Sequence, residues 1–149
     1  MHLSKWDKRF FTLASEVASW SKDPNKQVGA VAISADKRRI SYGYNGFPSA
    51  IQDTEQRLSN KEVKNSLSLH AEVNAILNAK ENLAGWTIYC SEAICANCAL
   101  IIIQAGVTKV VMPAIKANST WKDSCERAII MFNEANVELT LINEIPYYV

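Results

Sequence analysis

WTIYCSEAICANCALIIIQAGVTKVVMP, residues 86–113, decides the fold. Trp86 to Cys90 reads as a strand, set off by the turn at Gly85. Ala96 to Gln104 reads as a helix that Ala105-Gly106 closes. Lys109 to Met112 reads as the next strand, stopped by Pro113, which has no N–H to continue a ladder. Strand, helix and strand at this spacing form a βαβ unit, whose crossover makes the strands parallel neighbours. The alternation continues through a loop at 114–120, an amphipathic helix from Trp121 to Glu134 and a last strand from Val137 to Leu141.

Upstream the order differs. Trp6 to Trp20 places Phe10, Leu13, Val17 and Trp20 on one helical face with Phe11, Ala14 and Ala18. Ser4 is its expected N-cap, with Asp7 completing an acidic capping box, and Asp23-Pro24 is its expected end. Gln27 to Ile33 and Arg39 to Tyr44 read as two strands around the turn Ala35 to Arg38, hence antiparallel. Asn45-Gly46-Phe47-Pro48 breaks the pattern. Residues 49–69 are polar and read as irregular, with one helical turn around Asn60 to Lys64. Ala71 to Lys80 reads as a helix, and the tail Ile145 to Val149 as an edge or a free end. The expected fold is α/β: one domain over residues 1–149, a three-layer α/β/α sandwich around a five-stranded mixed sheet.

The same stretch carries chemistry. Cys95 and Cys98 stand at a helix start, where unpaired N–H groups favour thiolate over thiol. His70 stands at the start of another helix, with Glu72 in its first turn. Zinc takes imidazole nitrogen and thiolate sulfur, and three protein ligands leave a fourth position for water that loses its proton near neutral pH. Glu72 is then placed to carry protons. Other readings stand beside this one: a closed zinc knot completed by Cys90 or Cys125, a redox Cys-x-x-Cys, a core His70, and a Glu72 that merely suits the helix dipole.

Composition bounds the rest. The chain has 149 residues, 48% apolar and 21% charged, with a formal net charge of +1. No apolar run approaches the roughly 20 residues of a membrane helix, and no secretion signal stands at Met1 to Asp7. A cytoplasmic protein with no membrane partner is expected. Residues 1–40 hold eight Lys/Arg against four Asp/Glu, and the remainder eight against eleven. Without a basic run, a polynucleotide groove is not expected. A basic region near the N-terminus suits one small phosphorylated ligand.

Beyond the metal residues, Ser21 to Ala30 (SKDPNKQVGA), Gly43 to Pro48 (GYNGFP), His70 to Ile76 (HAEVNAI) and Ile102 to Gly106 (IIQAG) carry a resemblance. From Trp6 to Leu141 the chain resembles the zinc-dependent cytidine/deoxycytidylate deaminases, most closely the deoxycytidylate (dCMP) branch, whose signature is H-x-E with P-C-x-x-C. The resemblance implies zinc (Zn2+) on His70, Cys95 and Cys98, with Glu72 as catalytic proton shuttle. It also implies hydrolysis of dCMP to dUMP and ammonia through a tetrahedral intermediate. Asn45 would contact the sugar, with Ala71, Trp121 and Lys26 as further substrate contacts. A turn role for Asn45, a core or interface role for Trp121 and a solvated Lys26 are the plainer alternatives. A homo-oligomer is implied, with a hexamer and control by dCTP and dTTP left open.

Ala93-Ile94 departs from the family's usual polar residue and proline. Proline would fix φ ahead of Cys95, so Ile94 is expected to loosen the metal loop, and Ala93 to reshape the base pocket. Two other functions compete: deamination of a base in tRNA or single-stranded nucleic acid, and a non-catalytic zinc module. The charge balance after residue 40 disfavours the first. Retention of Glu72 disfavours the second.

Overall fold

A computed structural model describes residues 3–143, so His2 and the tail from Ile145 lie outside the described residues. In chain order the elements are α1 (Lys5–Ala18), β1 (Gly29–Ile33), β2 (Ile40–Tyr44), α2 (Glu55–Ser59), α3 (Lys61–Leu67) and α4 (Ala71–Ala79). There follow β3 (Thr87–Cys90), α5 (Ala96–Gln104), β4 (Lys109–Pro113), α6 (Lys122–Glu134) and β5 (Glu138–Ile142). The five strands form one sheet in the order β2-β1-β3-β4-β5. β1 is antiparallel to both β2 and β3, whereas β3, β4 and β5 run parallel. The mixed five-stranded sheet read from the sequence is therefore present.

Alternation along the central strands divides the interior in two. Val31, Ile33, Tyr89 and Val111 face α1, where Phe10, Phe11, Ala14 and Val17 close one core. Ala30, Ala32, Ile88, Cys90, Val110 and Met112 face the other way, under Ala71 and Ala75 of α4, Cys98, Ala99 and Ile102 of α5, and Ala128 and Phe132 of α6. Each large apolar side chain so buried contributes about 1.5–3 kcal/mol. The result is three layers with α1 alone on one side and α4, α5 and α6 on the other.

Two glycines allow the helices to approach the sheet. A Cβ on Gly29 would run into the backbone of Ala14 and Ala18 in α1, and one on Gly43 into that of Ala71 and Ala75 in α4. Ser41 fastens the second contact by donating to the Ala75 carbonyl at 2.6 Å. Asn74 and Asn78, one turn apart on α4, donate their side-chain amides to the carbonyls of Tyr44 and Tyr42 at 2.8 and 2.9 Å.

The capping box at Ser4 and Asp7 forms in both directions. Most boundaries fall within one residue of the sequence reading, with Pro113 inside β4 and paired with Ile142 rather than stopping the strand; three departures are larger. α1 stops at Ala18 rather than Trp20, because Ser21 turns its hydroxyl to the Asn45 carbonyl and accepts from the Asp23 N–H; Trp20 is left exposed against Tyr42 and Tyr44. β1 begins at Gly29 rather than Gln27, because the Val28 N–H goes to Asn45 Oδ1 and Gln27 caps the Ser21 carbonyl. Residues 49–69, read as irregular, hold α2 and α3, whose N-termini are capped by Thr54 and Asn60. No described helix is long and apolar enough to cross a membrane.

Candidate active site

His70 and Cys95 occupy the N-cap positions of α4 and α5, and neither makes a side-chain cap hydrogen bond. The residues that would normally satisfy a helix start are turned instead toward each other. Ser124 of α6 takes over at α5, accepting from the Ala96 N–H at 2.9 Å. His70 Nδ1 lies 3.5 Å from Cys95 Sγ and 3.2 Å from Cys98 Sγ. The three ligand atoms all fall within 4.8 Å of one another.

This donor set fits zinc. With Zn–S near 2.3 Å and Zn–N near 2.0 Å, tetrahedral geometry puts nitrogen and sulfur about 3.5 Å apart. The Cys98 thiol beside it, aided by His70 and against burial, brings Cys95 down to about 4. Cys98 is pushed up by the Cys95 sulfur and by burial. His70 is raised by Cys95 against the effect of burial. A dication binding there would displace any proton the donors hold.

Neither remaining cysteine completes a closed knot. The buried Cys90 thiol donates to Glu72 Oε1 at 2.8 Å, and Cys125 donates to the Ala93 carbonyl at 3.7 Å. Burial, and then the Glu72 carboxylate, push Cys90 well up, so it remains a thiol and a donor. Among the described residues the metal cluster has three members, His70, Cys95 and Cys98.

Glu72 is only 4% exposed, yet it lines a cavity of about 720 Å³ that also reaches His70, Ala71, Cys95 and Trp121. Trp121, the N-cap residue of α6, is 46% exposed and sets its ring edge-on to His70 at 5.8 Å. It stands at the cavity mouth rather than in the core. Lys26, Lys61 and Lys116 also line the cavity, and none has an ion-pair partner among the described residues. Asp23 and Lys64, both nearly buried, form an ion pair at 2.9 Å in the cavity wall.

Asn45 lines the same wall. Its Oδ1 accepts from the Val28 N–H, and its Nδ2 donates to the Lys26 carbonyl. That leaves one lone pair on Oδ1 for any further partner. Ile94, where the sequence suggested a loosened metal loop, is tied into the interior by burial and one contact. Its side chain is fully buried, and its N–H meets Met112 Sδ at 3.3 Å.

Sequence reasoning missed Lys61, Lys64, Lys116, Ser124 and Met112. For the first two, Asn60 ahead of Val63 was a legible cap signal. For the others, only the tertiary structure brings them to the site.

The comparisons with known proteins agree with this geometry. The model of the cytidine and deoxycytidylate deaminase zinc-binding region matches residues 4–114. An uncharacterized deaminase in the luxG 3′ region of Aliivibrio fischeri is 44% identical over 140 residues, covering 93% of this chain and 94% of that protein. Human deoxycytidylate deaminase is 34% identical over 89% of this chain and 77% of its own length. The dCMP deaminase of cyanophage S-TIM5, solved in complex with dCMP and dUMP, shares the fold. Its TM-score is 0.72 at 24% identity, over 95% of this chain and all of that one. The three-donor cluster, the buried glutamate beside it and these likenesses converge: the chain belongs to the zinc-binding cytidine and deoxycytidylate deaminase family.

Proposed function

We propose that this chain hydrolyses dCMP to dUMP and ammonia, with Glu72 as the catalytic proton carrier and His70, Cys95 and Cys98 as the zinc ligands. The observation that carries the reading is a buried carboxylate facing a cavity beside an open three-donor cluster. Zinc, when bound, acts as a Lewis acid that makes water nucleophilic at neutral pH. Glu72 takes the proton that water loses as its oxygen bonds to C4. It delivers protons to N3 and to the departing amine, so that water and dCMP balance dUMP and ammonia. Cys90, holding one carboxylate oxygen, leaves the other for this traffic.

The unpaired Lys26, Lys61 and Lys116 suit the 5′-phosphate and favour a nucleotide over a nucleoside. Trp121 offers a flat face to the base, Ala71 lines the floor, and the free lone pair of Asn45 suits the sugar hydroxyl. Four unpaired thiols suit a reducing, cytoplasmic setting. Exposed Leu100 and Ile101 of α5 and Ile130 of α6 suit burial against further copies, up to a hexamer. A second cavity, lined by Trp20, Tyr42, Tyr44 and Phe47, shares Asp23, Asn45, Lys64 and Ser68 with the first. It suits control by dCTP and dTTP.

The test is turnover of dCMP, CMP, cytidine, dCTP and a short RNA, followed by chromatography. dCMP is expected to react fastest, and Glu72→Gln to keep its zinc while losing turnover by at least two orders of magnitude. Deamination of RNA without nucleotide turnover, or a fully active Glu72→Gln, overturns the reading.

A further inference from the structure

The segment joining β3 to α5 carries the first thiolate, and it has few ties. At its start Ser91 exchanges hydrogen bonds with Gly29, its N–H to the Gly29 carbonyl and its hydroxyl from the Gly29 N–H. At its end the Ala96 N–H goes to Ser124. Between them the ties are to sulfur: the Glu92 backbone with Cys90, the Ala93 carbonyl with Cys125, and the Ile94 N–H with Met112 Sδ. Ile94 and Met112 are both fully buried, and no other acceptor for that N–H is present among the described residues.

A buried backbone N–H must find a partner. Proline at position 94 would bring no donor and would fix φ by itself. Isoleucine brings a donor into a dry site, where a thioether is a weak acceptor but the alternative is an orphaned amide. We infer that Met112 is a positioning residue for Cys95: its sulfur anchors the Ile94 amide and so holds the thiolate where the other two ligands meet it. Met112 sits near the end of β4, an internal strand between β3 and β5, and pairs with Leu141 of β5, a rigid base for that anchor. The inference rests on Cys95 being a zinc ligand.

Four proteins test it: wild type, Met112→Leu, Ile94→Pro and the double variant, each loaded with zinc. Release of zinc to a chelator is followed optically, and exchange of the Ile94 amide by NMR. Leucine nearly conserves the volume of methionine, so the lost acceptor is the main change. Met112→Leu is expected to release zinc about tenfold faster and to exchange the Ile94 amide about tenfold faster, in line with one orphaned donor. With Ile94→Pro the donor is gone, and adding Met112→Leu should change release less than about twofold. Equal effects of Met112→Leu in both backgrounds would mean packing alone, and would overturn the inference. So would an unchanged Ile94 exchange rate, which needs no proline variant to fold. A wild-type protein that binds no zinc would instead sink the ligand assignment, while amide exchange still judges the Met112 contact.

Discussion

Gly43→Ala is the substitution that most directly tests how the sheet places α4, the helix that carries His70 and Glu72. The added Cβ would stand 2.6 Å from the Ala71 carbonyl oxygen and closer still to the Ala75 amide nitrogen, whereas ordinary contact begins at 3.4 Å. Both obstacles are helix backbone, so no side chain can rotate away. The Ala71 contact alone asks α4 to retreat by about 0.8 Å, the difference between those two distances, and the nearer Ala75 contact asks for more. Overpacking of this kind costs about 1–3 kcal/mol of stability. The functional cost is larger, because α4 carries His70 at its cap and Glu72 in its first turn. A shift near 1 Å at reacting groups is worth about 100-fold in rate. Gly43→Ala is therefore expected to lower kcat for dCMP about 100-fold, with a smaller fall in the urea midpoint and faster loss of zinc to a chelator. Gly46→Ala is the matched control: its Cβ would meet nothing within 4 Å, and it should stay within about 0.5 kcal/mol of wild type. A Gly43→Ala protein with kcat within twofold of wild type would refute the claim that this contact sets the site.

Three further outcomes follow from contacts away from the reacting atoms. Asp7, buried beneath the sheet, is raised by burial, but hydrogen bonds from Lys109, Tyr89 and Ser4 outweigh this and hold it below the usual carboxylate range. Its stabilisation is then complete above the unfolded pKa near 3.9 and is lost as pH falls through the depressed folded value. Asp7→Asn should cost about 2 kcal/mol at pH 7, and the gap to wild type should close in urea titrations at pH 2–3. Lys64→Met leaves Asp23 with only the Asn25 and Lys26 amides and a long contact to Asn45; a loss of about 3 kcal/mol in urea and a raised KM are expected. Ser124→Ala removes the borrowed cap of α5 and should cost about 1 kcal/mol, with zinc released faster at unchanged KM.

The parts of this molecule that could be read from residues alone are those where one local rule decides. The strand–helix–strand stretch at 86–113 has its periods and stop signals in order, and the structure follows it with one-residue changes at its ends. Ser4 and Asp7 announce a helix start and form it. His70, Cys95 and Cys98 were legible because zinc chemistry admits few residue types at few spacings. α2 and α3 were not, since short polar helices bury little and show no apolar period; their caps were the surviving signal. Trp20 fits the helical face of α1 by spacing, but Ser21 and Asp23 hydrogen-bond elsewhere and end the helix first. The contact made by the Ile94 amide was illegible for a similar reason: its acceptor, Met112, is distant in sequence.

The two asparagine amides on α4 have a consequence beyond packing. β2 is the last strand at its end of the sheet, and a bare border invites a foreign strand to pair with it. With the carbonyls of Tyr42 and Tyr44 already occupied by Asn78 and Asn74, an incoming segment would find its hydrogen-bond acceptors taken at alternate positions. Cross-chain β-augmentation is thereby disfavoured along this rim, which leaves side chains such as Tyr42 and Trp20 as its readier means of self-association.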